Sequence, residues 1–109
     1  MERLSKRSDF EELKKAGRRF AGRNVSIFFA KRDSEGPVLV GFAISKKVGN
    51  AVVRNRIRRR LRAISASTEV TLIPGSYLIA VKPSVKESGY LELKADVTSV
   101  LRRIGASSG

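Results

Sequence analysis

Apolar and polar residues alternate along this chain with two periods, and the changes of period divide it into elements. Ser8 can cap a helix while Glu11, three residues on, reaches back in a capping box. Phe10 and Leu13 then share one side, and Gly17 offers the left-handed conformation that ends many helices. After a basic turn at Arg18 and Arg19, residues 24–31 alternate as a strand, with Val25, Ile27 and Phe29 on one face and Ser26, Phe28 and Ala30 on the other. The turn cluster at 33–37 predicts a hairpin into a second strand over 38–46. There Val38, Val40, Phe42 and Ile44 form a bulky face, opposite the small face of Leu39, Gly41, Ala43 and Ser45. Phe28 would share that small face in a simple hairpin, and the pattern alone fits either a ligand groove or a face covered by the first helix.

Helical spacing returns over 51–67, where Val53, Ile57, Leu61 and Ile64 recur behind the capping residue Asn50. Residues 76–82 predict a further strand, stopped by Pro83. From about Ser88 to Ile104 a stripe of Tyr90, Leu93, Val97, Val100, Leu101 and Ile104 predicts the last helix, closed by Gly105 with residues 105–109 as a frayed tail. Helix, two or three strands, helix, strand, helix is an α+β order, a small sheet covered by amphipathic helices in a single domain spanning 1–109. The passage through the middle helix is a crossover whose usual hand is right.

Composition adds exclusions. The 109 residues include no Cys and no His, which removes disulfides, thiolate nucleophiles, Cys- and His-based zinc sites and the commonest general base. The carboxylates are scattered, without a DxD or ExxH arrangement, so no catalytic side chain is nominated. SKKVGN lacks the glycine spacing of a phosphate-binding loop, and no apolar run approaches the ~20 residues of a membrane span. The charged start MERLSKRSDF is unlike a signal peptide, so a cytoplasmic location without membrane association is expected.

Charge then points to a partner. Lys and Arg total 23 against 10 Asp and Glu, a formal charge of +13 that concentrates polyanions around the protein. No acidic residue occurs between Glu35 and Glu69, and eight basic residues (Lys46, Lys47, Arg54, Arg56, Arg58, Arg59, Arg60 and Arg62) fall within 46–62. With Ile57 at zero on a wheel of about 100° per residue, Val53, Leu61 and Ile64 lie within about 40° of it and the arginines fill most of the rest. A merely solvated face would interleave Glu at four-residue spacing, and none is present. Arginine's planar fork suits phosphate, while the apolar stripe is aliphatic and has no interfacial Trp, so nucleic acid is favoured over a membrane surface.

The run SKKVGNAVVRNRIRRRLR at 45–62, centred on Arg54-Asn55-Arg56, closely resembles the protein subunit of bacterial ribonuclease P. The likeness continues through Leu4, Asp9-Phe10, Gly17, Val40-Gly41 and Pro83, covering residues 4 to about 104. It implies a two-layer α-β sandwich of the ribosomal protein S5 domain 2-like type. Three helices, a mostly antiparallel sheet of about four strands and a left-handed βαβ crossover belong to that expectation. It also implies an accessory subunit of an endoribonuclease whose catalytic RNA uses Mg2+ to remove the 5′ leader of precursor tRNA. The protein would lower the magnesium requirement, hold no tightly bound cofactor and require no stable protein partner.

By the same resemblance, Lys46, Lys47, Arg54, Asn55, Arg56, Arg59, Arg60 and Arg62 would contact the catalytic RNA. Phe10, Ser26, Phe28, Ala43 and Ser45 would contact the single-stranded leader. Relatives bind metal ions near the RNA-contacting region, without a ligand residue assignable here. Many carry a second aromatic where this chain has Lys14, and often a Tyr where it has Phe28. Two other readings fit the charge: a structural RNA-binding protein of ribosomal type, and a DNA-binding module. The latter lacks the preceding helix of a helix-turn-helix.

Overall fold

The computed structural model describes residues 2–4, 7–32 and 35–108. In chain order the elements are β1 (Glu2–Arg3), α1 (Arg7–Ala16), β2 (Arg18–Ala21), β3 (Val25–Lys31), β4 (Val38–Ala43), α2 (Ala51–Ala66), β5 (Gly75–Val81) and α3 (Tyr90–Ser108). Single 3-10 turns at Lys46–Val48 and Pro83–Glu87 precede α2 and α3.

The strands form one sheet in the order β1-β4-β5-β3-β2, with the two-residue β1 extending its edge. Strand β5 is central because it is apolar on both faces: Tyr77, Leu78 and Ile79 are 1%, 0% and 1% exposed. It pairs antiparallel with β3 and parallel with β4, so β4, α2 and β5 make a crossover unit and the sheet is mixed rather than purely antiparallel. The expected β3–β4 hairpin is absent, since β5 lies between those strands. The turn predicted at 33–37 includes Asp33 and Ser34, which lie outside the described residues.

Helices α2 and α3 cover one face of the sheet. Ile57, Leu61 and Ile64 of α2 and Leu93, Val97, Val100, Leu101 and Ile104 of α3 join Val25, Ile27, Phe29, Tyr77 and Ile79 in the main core. Within it the Phe29 and Tyr77 rings pack in a tilted arrangement with centroids 4.9 Å apart, and the Tyr77 hydroxyl donates to the Ile73 carbonyl at 2.6 Å. Desolvation by burial pushes the Tyr77 pKa up to about 12. On the opposite face α1 covers only part of the sheet, where Leu13 packs with Leu4 and Leu78.

Several boundaries differ from the sequence expectation. Helix α1 starts at Arg7, so Ser8 lies inside it and Glu11 pairs with Arg7 at 3.5 Å, one turn back, in place of a capping box. Gly17 is not left-handed. A Cβ there would sit 2.6 Å from the Leu13 carbonyl oxygen and 3.2 Å from that of Phe29, so close passage of backbones requires the glycine. Arg18 and Arg19, expected in a turn, begin β2, which pairs antiparallel with β3 and completes the sheet. Strand β4 ends at Ala43, short of residue 46. Ser88 ends the preceding turn instead of starting α3, and α3 runs through Gly105 to Ser108, because glycine permits a helix ending without forcing one.

Candidate nucleic-acid interface

The basic helix is held in place at both its start and its buried side. The Asn50 Oδ1 accepts the Val53 N–H at 3.0 Å, capping α2. Gly49 is pressed so close that a Cβ would meet a Val53 methyl at 2.9 Å. Val48 is buried and fixes the short turn carrying the exposed Lys46 and Lys47. Ile57, Leu61 and Ile64 anchor the apolar side at 2%, 0% and 1% exposure.

This anchoring divides the arginines into groups. Arg54, Arg58 and Arg62, spaced four apart, lie about 60° to 140° round the helix from Ile57. Arg58 and Arg62 line a cavity of about 500 Å³ at the outer edge of β4, together with Phe10, Gly41 and Phe42. Arg56, Arg59 and Asn55 are exposed, and Asn55 Oδ1 accepts from Arg58 at 3.3 Å. Arg60 is half-buried and donates to the Ser88 carbonyl at 3.5 Å, which occupies it in the protein's own frame. Arg54 is half-buried with its Nε shielded from solvent and unpartnered. Among the described residues the recorded ion pair is Arg7–Glu11, far in sequence from this helix, so no carboxylate neutralises the α2 arginines there.

A second feature crosses the sheet on the face that α1 leaves partly uncovered. Register places Gly41, Leu78, Phe28 and Arg19 in one row across β4, β5, β3 and β2. The next row is Ala43, Ala80, Ser26 and Ala21. Four small side chains therefore floor a trough spanning about 14 Å, three strand spacings. Phe10 reaches over the first row: a Cβ on Gly41 would stand 2.7 Å from the Phe10 ring, so only glycine admits the phenylalanine there.

Of the five residues expected to contact a leader, Phe10, Phe28 and Ala43 belong to one apolar cluster around Leu4, Leu13 and Leu78. Ser26 lies in the same row as Ala43 but is buried, and its Oγ accepts the Arg19 Nη2 at 3.1 Å. Ser45 is exposed just beyond the end of β4, at the mouth of the trough and off its floor. Lys14 is exposed on α1, one turn from Phe10. Sequence reasoning missed Arg19, Ala21 and Ala80. No apolar alternation marks the RRFA of β2, and its two adjacent arginines read as a turn. Among the described residues no group of three Asp or Glu comes together that could hold a metal ion.

The fold of this basic α-β sandwich is that of solved ribonuclease P proteins. The structure of the Staphylococcus aureus RNase P protein superposes with a TM-score of 0.86 at 24% identity, covering 95% of each chain. That of Thermotoga maritima gives 0.83 at 21% identity, covering 94% of this chain and 97% of that one. The ribonuclease P protein component of Acidothermus cellulolyticus is 39% identical over 105 residues, 94% of this chain and 87% of that protein. A Geobacillus ribonuclease P protein component is 34% identical, over 95% and 90% of the two chains. The Ribonuclease P family model matches residues 1–105, and the chain belongs to that family. It is thereby a protein component of an endoribonuclease that works with an RNA subunit in tRNA 5′ processing.

Proposed function

We propose that this protein binds the catalytic RNA through the outward arginines of α2 and Lys46 and Lys47, and the 5′ leader of precursor tRNA in the sheet-face trough. The observation that carries this reading is the pairing of two unlike surfaces on one small domain. One is a helix whose positive charges have no carboxylate partner among the described residues, suited to phosphate. The other is a small-residue trough beside Phe10 and Phe28, suited to unpaired bases, which aromatic rings stack without demanding a sequence. A leader that differs between tRNA genes calls for that kind of contact.

Catalysis and its Mg2+ stay with the RNA subunit, and the protein lowers the magnesium requirement by placing cations among converging phosphates. The work is cytoplasmic, in keeping with the finding that no described helix is long and apolar enough to cross a membrane. A structural protein of ribosomal type would share the charge but has no use for the trough.

Leader removal from a precursor tRNA at low magnesium tests the proposal, comparing a bacterial ribonuclease P RNA alone, this protein alone, and the mixture. Cleavage at the mature 5′ position restored only by the mixture is the expected result. Cleavage by the protein alone, or no stimulation of several bacterial RNA subunits, would overturn it.

A further inference from the structure

The trough does not stop at the residues the family resemblance implies. It runs on across β3 to β2, where Ala21 completes the floor and Arg19, in register with Phe28, closes the flanking row. Arg19 is exposed, with Nη2 held by the Ser26 Oγ at 3.1 Å and the rest of its fork open to solvent. A guanidinium at the flank of a groove, anchored to its floor by one nitrogen and with donors to spare, is a phosphate-binding arrangement.

The turn that sets Arg19 is unusually well fixed. Asp96 of α3 accepts the backbone N–H groups of Arg23, Asn24 and Val25 at 2.8, 2.7 and 3.1 Å. Lys82 Nζ donates to the Gly22 carbonyl at 2.7 Å, and Arg103 donates to that of Ala21. Gly22 itself is obligatory, because a Cβ would fall 2.5 Å from the Asp96 carboxylate. Side chains from α3 and from Lys82, just past the end of β5, thus hold the β2–β3 turn, and with it the register of Arg19 against Phe28.

Direction follows from the other end. Arg58 and Arg62 of α2 share a cavity with Phe10 at the β4 edge, so the RNA-facing side adjoins the trough there. A strand leaving that side crosses β4, β5 and β3 before it meets β2.

We propose that Arg19 binds a phosphate of the leader's upstream nucleotides, making β2 the far end of the leader path and the place where leader length is sensed. This rests on the leader reading of the trough. The occupant is single-stranded RNA, since small side chains backed by Phe10 and Phe28 suit unpaired bases while the Arg19 guanidinium suits their phosphate backbone.

The test uses the reconstituted holoenzyme and precursor tRNAs whose leaders are lengthened one nucleotide at a time, with Arg19→Gln, Arg19→Lys and Phe28→Ala. Arg19→Gln should weaken binding about two- to fivefold, as for an exposed charge pair, and only once the leader is long enough to reach β2. Its salt slope on those substrates should fall by about 0.7, the contribution of one single-strand phosphate, and Arg19→Lys should restore that slope. Mature tRNA and short leaders should be unaffected. Equal affinity at every length, or an equal loss on mature tRNA, would overturn the proposal. If Phe28→Ala removes leader preference while Arg19→Gln changes nothing, the trough reading stands and the Arg19 proposal falls. If neither variant alters leader preference, both fall.

Discussion

The arginine face of α2 and the trough across the sheet differ in where their chemistry comes from. The face is written in one stretch of sequence: a cap at Asn50, three buried aliphatics and arginines between them. Each arginine keeps its place whatever its neighbours do, because the helix backbone supplies its own hydrogen bonds. The trough is assembled from four strands and a helix, and no two of its floor residues are adjacent in the chain. Its shape depends on register, and a slip of one residue would turn every side chain of that strand to the other side. Charge can be added to a surface piecemeal, whereas a groove must be built by the fold.

That contrast can be broken most forcefully at the helix. Replacing Arg56 and Arg59 together by Ala should cost roughly a hundredfold in affinity for the RNA subunit, as two charge-assisted contacts are lost. A salt titration should show a slope shallower by about 1.8. The melting temperature should hardly move, because both side chains are exposed.

The trough should respond in the opposite sense, through stability. Asp96→Ala orphans three backbone N–H groups at the β2–β3 turn and should lower unfolding stability by about 2 to 3 kcal/mol, measured by urea denaturation. Affinity for the RNA subunit, measured where the variant is fully folded, should be unchanged. Ala80→Leu sharpens the comparison further by filling the floor with a bulky side chain. Preference for precursor over mature tRNA should fall by an amount equivalent to about 1 to 3 kcal/mol, one lost stacked base, while assembly with the RNA persists.

The smallest effect concerns the core that both regions share. The Tyr77 pKa is raised from 10.0 to about 12, so the unfolded chain releases this proton first as pH rises. Its contribution to stability is complete below pH 10.0 and is lost progressively between 10.0 and about 12. Tyr77→Phe should flatten that alkaline fall in a pH series of unfolding measurements.

The same contrast explains what was legible in the sequence. Helix α2 and its cap could be read directly, since Asn50, Val53, Ile57, Leu61 and Ile64 carry the whole pattern locally. So could the two faces of β3, and the small face of β4 that gave the first sign of a groove. Pairing could not be read so directly: β5 sits between β3 and β4, and only its burial on both faces hints at this. Strand β2 was hidden because Arg18 and Arg19 are exposed at a sheet edge, where no apolar alternation marks them. Ala80 and Ala21 carry no chemistry of their own and become part of a site only through register with Ala43 and Ser26. Arg60 shows the limit in the other direction, a motif arginine that the fold turns toward Ser88.

The central claim is that the two surfaces do separate work within one ribonucleoprotein. The direct measurement is the ratio of affinities for precursor and mature tRNA, taken with holoenzyme assembled at saturating RNA subunit, for the wild type, Phe28→Ala and the Arg56→Ala, Arg59→Ala double variant. The ratio should collapse toward one for Phe28→Ala and stay at the wild-type value for the arginine variant once assembled. An equal fall in both, or none in Phe28→Ala, would contradict the account.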